Sequence, residues 1–192
     1  MDIGPSTVEI TAISSGQKET AQIESASEAD MPTDWDFAWP EFWQKTDFSD
    51  HEAIIKLVYR EKIWGLMRYS LYSTRIDGPV NQMVISHLET HPDCRGDNPH
   101  RLIRTVGLWL VWYAVNVALQ CCFLESDEHN LIVLSSLNEA VPYYRDVVKM
   151  RFLGHDRGAP GEDMYGFAFS KSEAISYCER YKLCGMSGWA AD

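Results

Sequence analysis

Gln82-Met-Val-Ile-Ser-His-Leu-Glu-Thr-His91, then Pro92-Asp-Cys-Arg-Gly-Asp-Asn98, then Pro99-His-Arg-Leu-Ile-Arg-Thr-Val-Gly-Leu-Trp-Leu-Val-Trp-Tyr-Ala-Val-Asn-Val-Ala-Leu-Gln120 is the stretch whose reading decides the fold. The first part has the composition of a strand, and Pro92 ends it by removing a ladder donor. The third part is apolar nearly all round and reads as a long buried helix. Pro99 suits the first helical position, with Asn98 as N-cap. A loop that runs into unpaired helix N–H groups favours an anion, because those donors and the helix dipole act together. Arg95 and Arg101 add positive charge there, so the stretch is read as a diphosphate cradle.

Outward from it, three strands make an antiparallel meander. They are Ala53 to Arg60, Ile63 to Ser73 and the quoted strand, with Glu61-Lys62 as a tight hairpin and Asp77-Gly78-Pro79 as a turn. Leu131-Ile-Val-Leu134 is a short, fully apolar strand of the kind that pairs parallel and buried. A helix over 138–148 follows, then strands from Arg151 and at Met164–Phe169. A C-terminal helix over 173–182 is capped by Ser172. Upstream, Thr7 to Ile13 alternates as a strand does. Ser14 to Asp30 is either a solvated helix or a flexible segment. The expected organisation is a first strand with that segment over 1–30, one domain over 31–183, and a flexible tail over 184–192.

Composition narrows the class. The chain has 192 residues and a formal charge of -11, with 45% hydrophobic residues. That suits one domain with a substantial core. The absence of a basic stripe argues against nucleic acid as a partner. Arg104, Thr105 and Asn116 interrupt the long helix short of the roughly 20 apolar residues a bilayer needs, so no membrane span is expected. Five cysteines without a CxxC pair, and histidines without metal spacing, predict neither a disulfide framework nor a metal site. Residues 1–30 have no basic start followed by an apolar core, so a cytoplasmic location is expected.

The order of elements resembles the GNAT superfamily of acyl-CoA N-acyltransferases over roughly residues 50–170. Leu88-Glu-Thr-His-Pro-Asp-Cys-Arg-Gly96 looks like the family's central strand and its Pro-x-x-Arg-Gly turn. Ser135-Ser-Leu-Asn-Glu-Ala-Val-Pro-Tyr-Tyr144 looks like its second cofactor-side segment. The resemblance implies a mixed, mostly antiparallel α+β sheet of six or seven strands with helices on both faces. It implies transfer of an acetyl group from acetyl-CoA to an amine by direct attack in a ternary complex. Thr90 would hold the acyl carbonyl through its backbone N–H, Leu88 would belong to the cofactor site beside it, Arg95, Gly96, Asp97, Asn98, His100 and Arg101 would wrap the diphosphate, and Asn138 would meet the pantetheine arm. Tyr144 would protonate the leaving thiolate. The loop departs from the family in carrying Asn98 and His100 where glycines are usual.

Other roles stay open. On strand parity Gln82, Val84, Ser86, Leu88 and Thr90 share one face. A base for the amine is then Glu89, His87, or water relayed through Ser86, the first two needing a bulge to shift the register. Trp39, Phe42 and Trp43 fall at helical spacing, either as core or as a wall of the acceptor site, for which Trp39 and Trp43 are the candidates. The acceptor bears an amine, on a small molecule or a protein, and a second copy of the chain is a further candidate partner. The competing reading is a GNAT-fold module without turnover, docking a protein through Trp35 to Trp43.

Overall fold

The computed structural model describes residues 3–49, 51–96, 98, 101–124, 129–156 and 163–182. In chain order the strands are β1 (Ser6–Ala12), β2 (Lys18–Ser25), β3 (Glu52–Tyr59), β4 (Lys62–Tyr72), β5 (Gln82–Thr90), β6 (Ile103–Arg104), β7 (Ile132–Leu137), β8 (Arg151–Asp156) and β9 (Met164–Phe169). They form one sheet in the order β6-β1-β2-β3-β4-β5-β7-β9-β8. All its pairings are antiparallel except β5 with β7. The mixed, mostly antiparallel architecture is the expected one, with nine strands in place of six or seven.

The helices are α1 (Trp39–Lys45), α2 (Val106–Cys121) and α3 (Lys171–Lys182). The main core lies on one face of the sheet, under α2 and α3. Val106, Trp109, Leu110, Tyr113 and Val117 of α2 pack there with Leu57, Met67, Tyr69, Ile85 and Phe167. A smaller apolar cluster covers the other face over β3 and β4. There Met31, Trp39, Ile54 and Leu66 are buried, with Trp35, Phe37, Phe42 and Trp43 packed around them.

Three local expectations change. Ser14 to Asp30 is not a helix: it contains β2, whose Ala21 and Ile23 point inward while their neighbours face solvent. Two apolar residues at a period of two are a weak local signal, and pairing with β1 and β3 supplies the rest. The hairpin between β3 and β4 turns at Arg60-Glu61, one residue earlier than read, with both residues at positive φ. The cap of α3 is Ser170, whose Oγ accepts from Glu173 N at 3.3 Å while Glu173 accepts from Ser170 N at 2.7 Å.

The largest correction concerns α2. It begins at Val106, with Thr105 as N-cap, and not at Pro99 with Asn98 as cap. Pro99 lies outside the described residues, but Ile103 and Arg104 form β6 and pair with Ala12 and Thr11 of β1. Leu102 is tied on both sides, donating to Asp93 O at 2.9 Å and accepting from Ile13 N at 2.9 Å. This edge pairing holds the chain extended where local preference favours helix.

Gly65 on β4 lets α2 lie close against the sheet. A Cβ there would meet Val106 Cγ1 at 2.7 Å and Leu110 Cδ1 at 2.8 Å. Gly65→Ala should therefore cost about 1–3 kcal/mol by overpacking and lower the thermal midpoint by several degrees. A calorimetric midpoint equal to that of the wild type would show that α2 does not sit this close.

Candidate active site

The site begins where two strands part. β5 pairs with β7 only through Met83–Ile85 against Ile132–Leu134. β5 then runs on to Thr90 and β7 to Leu137. Over Ser86 to Thr90 the β7-facing edge of β5 has no ladder partner among the described residues. Such an edge offers peptide N–H and C=O groups to any extended ligand laid beside it.

A bulge sits at the same point. Tyr69 pairs with Ile85 and Arg68 with His87, so Ser86 is the extra residue. Side-chain parity reverses there. Met83, Ile85, Leu88 and Thr90 share the α2 face, while His87 and Glu89 share the opposite one. The expectation that Ser86, Leu88 and Thr90 lie on one face is corrected accordingly. Ser86 does not line the cleft. Its Oγ donates to Arg68 O at 3.2 Å and accepts from Arg68 Nη1 at 3.4 Å.

The parting of the strands opens into a cleft of about 530 Å³. One wall is the first turn of α2, with Thr105, Val106, Gly107 and Leu108. The other carries Leu137, Ala140, Tyr143, Tyr144 and Val147. Leu88, Thr90, Gly96 and Arg101 complete the floor and mouth. Thr105 has φ 75°, a strained conformation for a β-branched residue, and it turns the chain into α2. The first amides of this 16-residue helix thus border the cleft. Gly107 admits Tyr143: its Cβ would stand 2.6 Å from Tyr143 Oη and 3.7 Å from Thr90 Cγ2. Tyr144 is deeper, packed on Phe167 at a ring distance of 5.5 Å, and burial pushes its hydroxyl up to about 12. Both tyrosines belong to a π-helical turn, Tyr143–Val148, a form that recurs at functional sites.

Glu89 and Arg95 are engaged with each other. The Glu89 carboxylate is buried and accepts from Asp36 N at 2.9 Å, Phe37 N at 3.3 Å and Trp39 Nε1 at 2.7 Å. It also pairs with Arg95 Nη2. Arg95 further pairs with Asp36 and donates from Nε to Thr90 O at 3.1 Å. Its guanidinium is therefore turned to carboxylates and a carbonyl, and not to the α2 N-terminus. Trp39 is fully buried and Trp43 packs on Phe48, so neither lines the cleft. Asp36 and Phe37 do. The aromatic segment packs on the sheet, with Trp39 buried and Trp35, Phe37, Phe42 and Trp43 partly exposed.

Asn98 and Asn138 do not line the cleft, and Asp97 and His100 lie outside the described residues. Phe37, Thr105, Gly107 and Tyr143 were not singled out from the sequence. Gly107, just inside the start of α2, was the one legible signal, and it was masked by placing the helix start too early. Among the described residues no cluster of side chains could hold a metal ion. None of their helices is long and apolar enough to cross a membrane.

His87 projects from the bulge into Phe37, Trp39 and Phe42, with Phe42 only 3.8 Å away between ring centres. Its Nδ1 is buried without a partner. Burial first, and then the Arg68 charge, lower its pKa from 6.5 to about 4. Between those values the unfolded chain binds the proton and the folded chain does not, so this group destabilises the fold as pH falls through that window. The thermal midpoint of the wild type should drop between pH 6.5 and 4, and that of His87→Phe should drop less. Equal slopes would mean that the ring is not held neutral.

No protein-family profile matches the chain, and no curated protein matches it. Solved structures do. An uncharacterized protein from Bacillus halodurans is 12% identical over 97% of this chain and 100% of that one, with a TM-score of 0.58. The GNAT domain of S. lividans PAT is 10% identical over 86% and 97%, with a TM-score of 0.57. AtaTR bound with AcCoA is 15% identical over 81% and 96%, with a TM-score of 0.51. These likenesses are of fold: this chain has the fold of the GNAT acetyltransferases.

Proposed function

We propose that this protein is an acyl-CoA-dependent N-acyltransferase that moves an acetyl group from acetyl-CoA to an amine by direct attack. The observation that carries the reading is the unpaired edge of β5 opening into a cleft headed by a helix N-terminus. The AtaTR structure holds AcCoA on a similar fold, which supports a ligand of this class.

The residues fit such a ligand. The first amides of α2 suit a diphosphate, with Arg101 beside them at the cleft, while Gly107 leaves room for the Tyr143 hydroxyl. The β5 backbone from Ser86 to Thr90 suits an extended amide-bearing arm. When bound, acetyl-CoA would supply the activated thioester. The amine nitrogen, releasing its proton to solvent water in the open cleft, would form the new C–N bond as the C–S bond breaks, with Tyr144 Oη protonating the sulfur and regaining a proton from that water. A hydroxyl held at about 12 keeps its proton at neutral pH, as an acid must. Glu89 already accepts from four donors, so the proposal gives it no proton to carry. Burial raises the Cys94 thiol to about 11, which disfavours a covalent route through it.

Calorimetric titration with acetyl-CoA tests the reading, with micromolar binding expected and silence at millimolar concentration sinking it. Tyr144→Phe should lower kcat about a hundredfold with cofactor affinity retained, and Tyr143→Phe much less. A larger loss in Tyr143→Phe would move the acid to that neighbour.

A further inference from the structure

The Glu89–Arg95 pair has no part in the chemistry proposed above, yet it sits at the opening of the strands. Glu89 is the last inward residue of β5 on the α1 face. A buried carboxylate is costly unless each oxygen is satisfied. Here the four donors come from two directions. Asp36 N, Phe37 N and Trp39 Nε1 come from the segment that leads into α1, and Arg95 comes from the loop after β5. Arg95 returns to the same segment through Asp36 and holds β5 through Thr90 O. Asp36 and Phe37 line the cleft, as do Glu89 and Arg95 themselves.

We propose that Glu89 is a positioning residue that fixes Asp36 and Phe37 as the acceptor wall, with Arg95 as its counter-charge and not as a phosphate ligand. The inference rests on the transferase reading. The geometry explains why two amide donors, an indole and a guanidinium converge on one carboxylate: they set the backbone at 36–37 to the strand that would carry the thioester. Phe37 is then held edge-on to Phe42 and His87, at ring distances of 6.2 and 5.4 Å. Anionic ligand charge would gain little from a guanidinium already shared by two carboxylates.

The test uses the full chain and separates the two ideas. With acetyl-CoA as titrant, Arg95→Met should keep its affinity within about threefold, while Arg101→Met loses about tenfold. Equal losses would make Arg95 a phosphate ligand and overturn the proposal. With the best amine from a panel of spermidine, an aminoglycoside and a lysine peptide, Glu89→Gln should raise the acceptor KM about tenfold and leave the shape of the pH profile intact. A hundredfold fall in kcat with loss of one limb of that profile would make Glu89 the base instead. The indole N–H resonance of Trp39, assigned with Trp39→Phe, should shift and exchange faster in Glu89→Gln. An unmoved resonance overturns the hub even where acetyl-CoA fails to bind, and a shifted one upholds it when the transferase reading alone has failed.

Discussion

Two neighbouring strands that begin parallel and then separate are the constraint on which the rest of this structure depends. β5 and β7 share three residue pairs and then diverge. A sheet in which they stayed paired to their ends would have no cleft. Divergence leaves peptide groups of β5 without a strand partner among the described residues, and such groups are costly when buried dry. The cost is tolerable where water or a ligand reaches them, which is the condition a binding site meets. The separation also lets α2 and the π-helical turn approach from the same side, so that Gly107, Tyr143 and Thr90 meet at one point.

The bulge at Ser86 acts on the same strand from its other edge. It reverses parity, which sends Leu88 and Thr90 toward α2 and sends Glu89 and His87 under the aromatic segment. The two faces are then supported differently. One rests on an apolar core. The other combines a small apolar cluster with polar anchors: Glu89 with Arg95 and the 36–39 segment, and Arg68 with Glu52 at 2.7 Å and Thr46 at 2.8 Å. Charged groups held this way fix direction more than they add stability.

The α2 end of the cleft shows the same reliance on distant pairing. Ile103-Arg104 lies on β1 at the sheet edge, and the chain then turns through a left-handed Thr105 into α2. The side chains of Trp109 and Tyr177 illustrate how closely that helix is then fixed, the Trp109 indole N–H donating to Glu9 O at 2.6 Å and the Tyr177 hydroxyl donating to Leu108 O at 2.9 Å.

The sequence by itself determined the elements with strong local period. The β3–β4–β5 meander, the apolar strand at β7, β9 at Met164–Phe169 and the apolar body of α2 were all legible, because apolar spacing over four or more residues reflects burial directly. The order of those elements, with the Leu88 to Gly96 and Ser135 to Tyr144 segments, was enough to point to the fold. Tertiary structure alone decided what depends on partners far along the chain. β2 exists because β1 and β3 flank it. α2 starts at Val106 because β1 captures residues 103–104. Glu89 is a hub and Trp39 its ligand because a one-residue bulge turns them to the same side. Each is a contest between a weak local preference and a pairing made across tens of residues, and no window of sequence contains both sides of it.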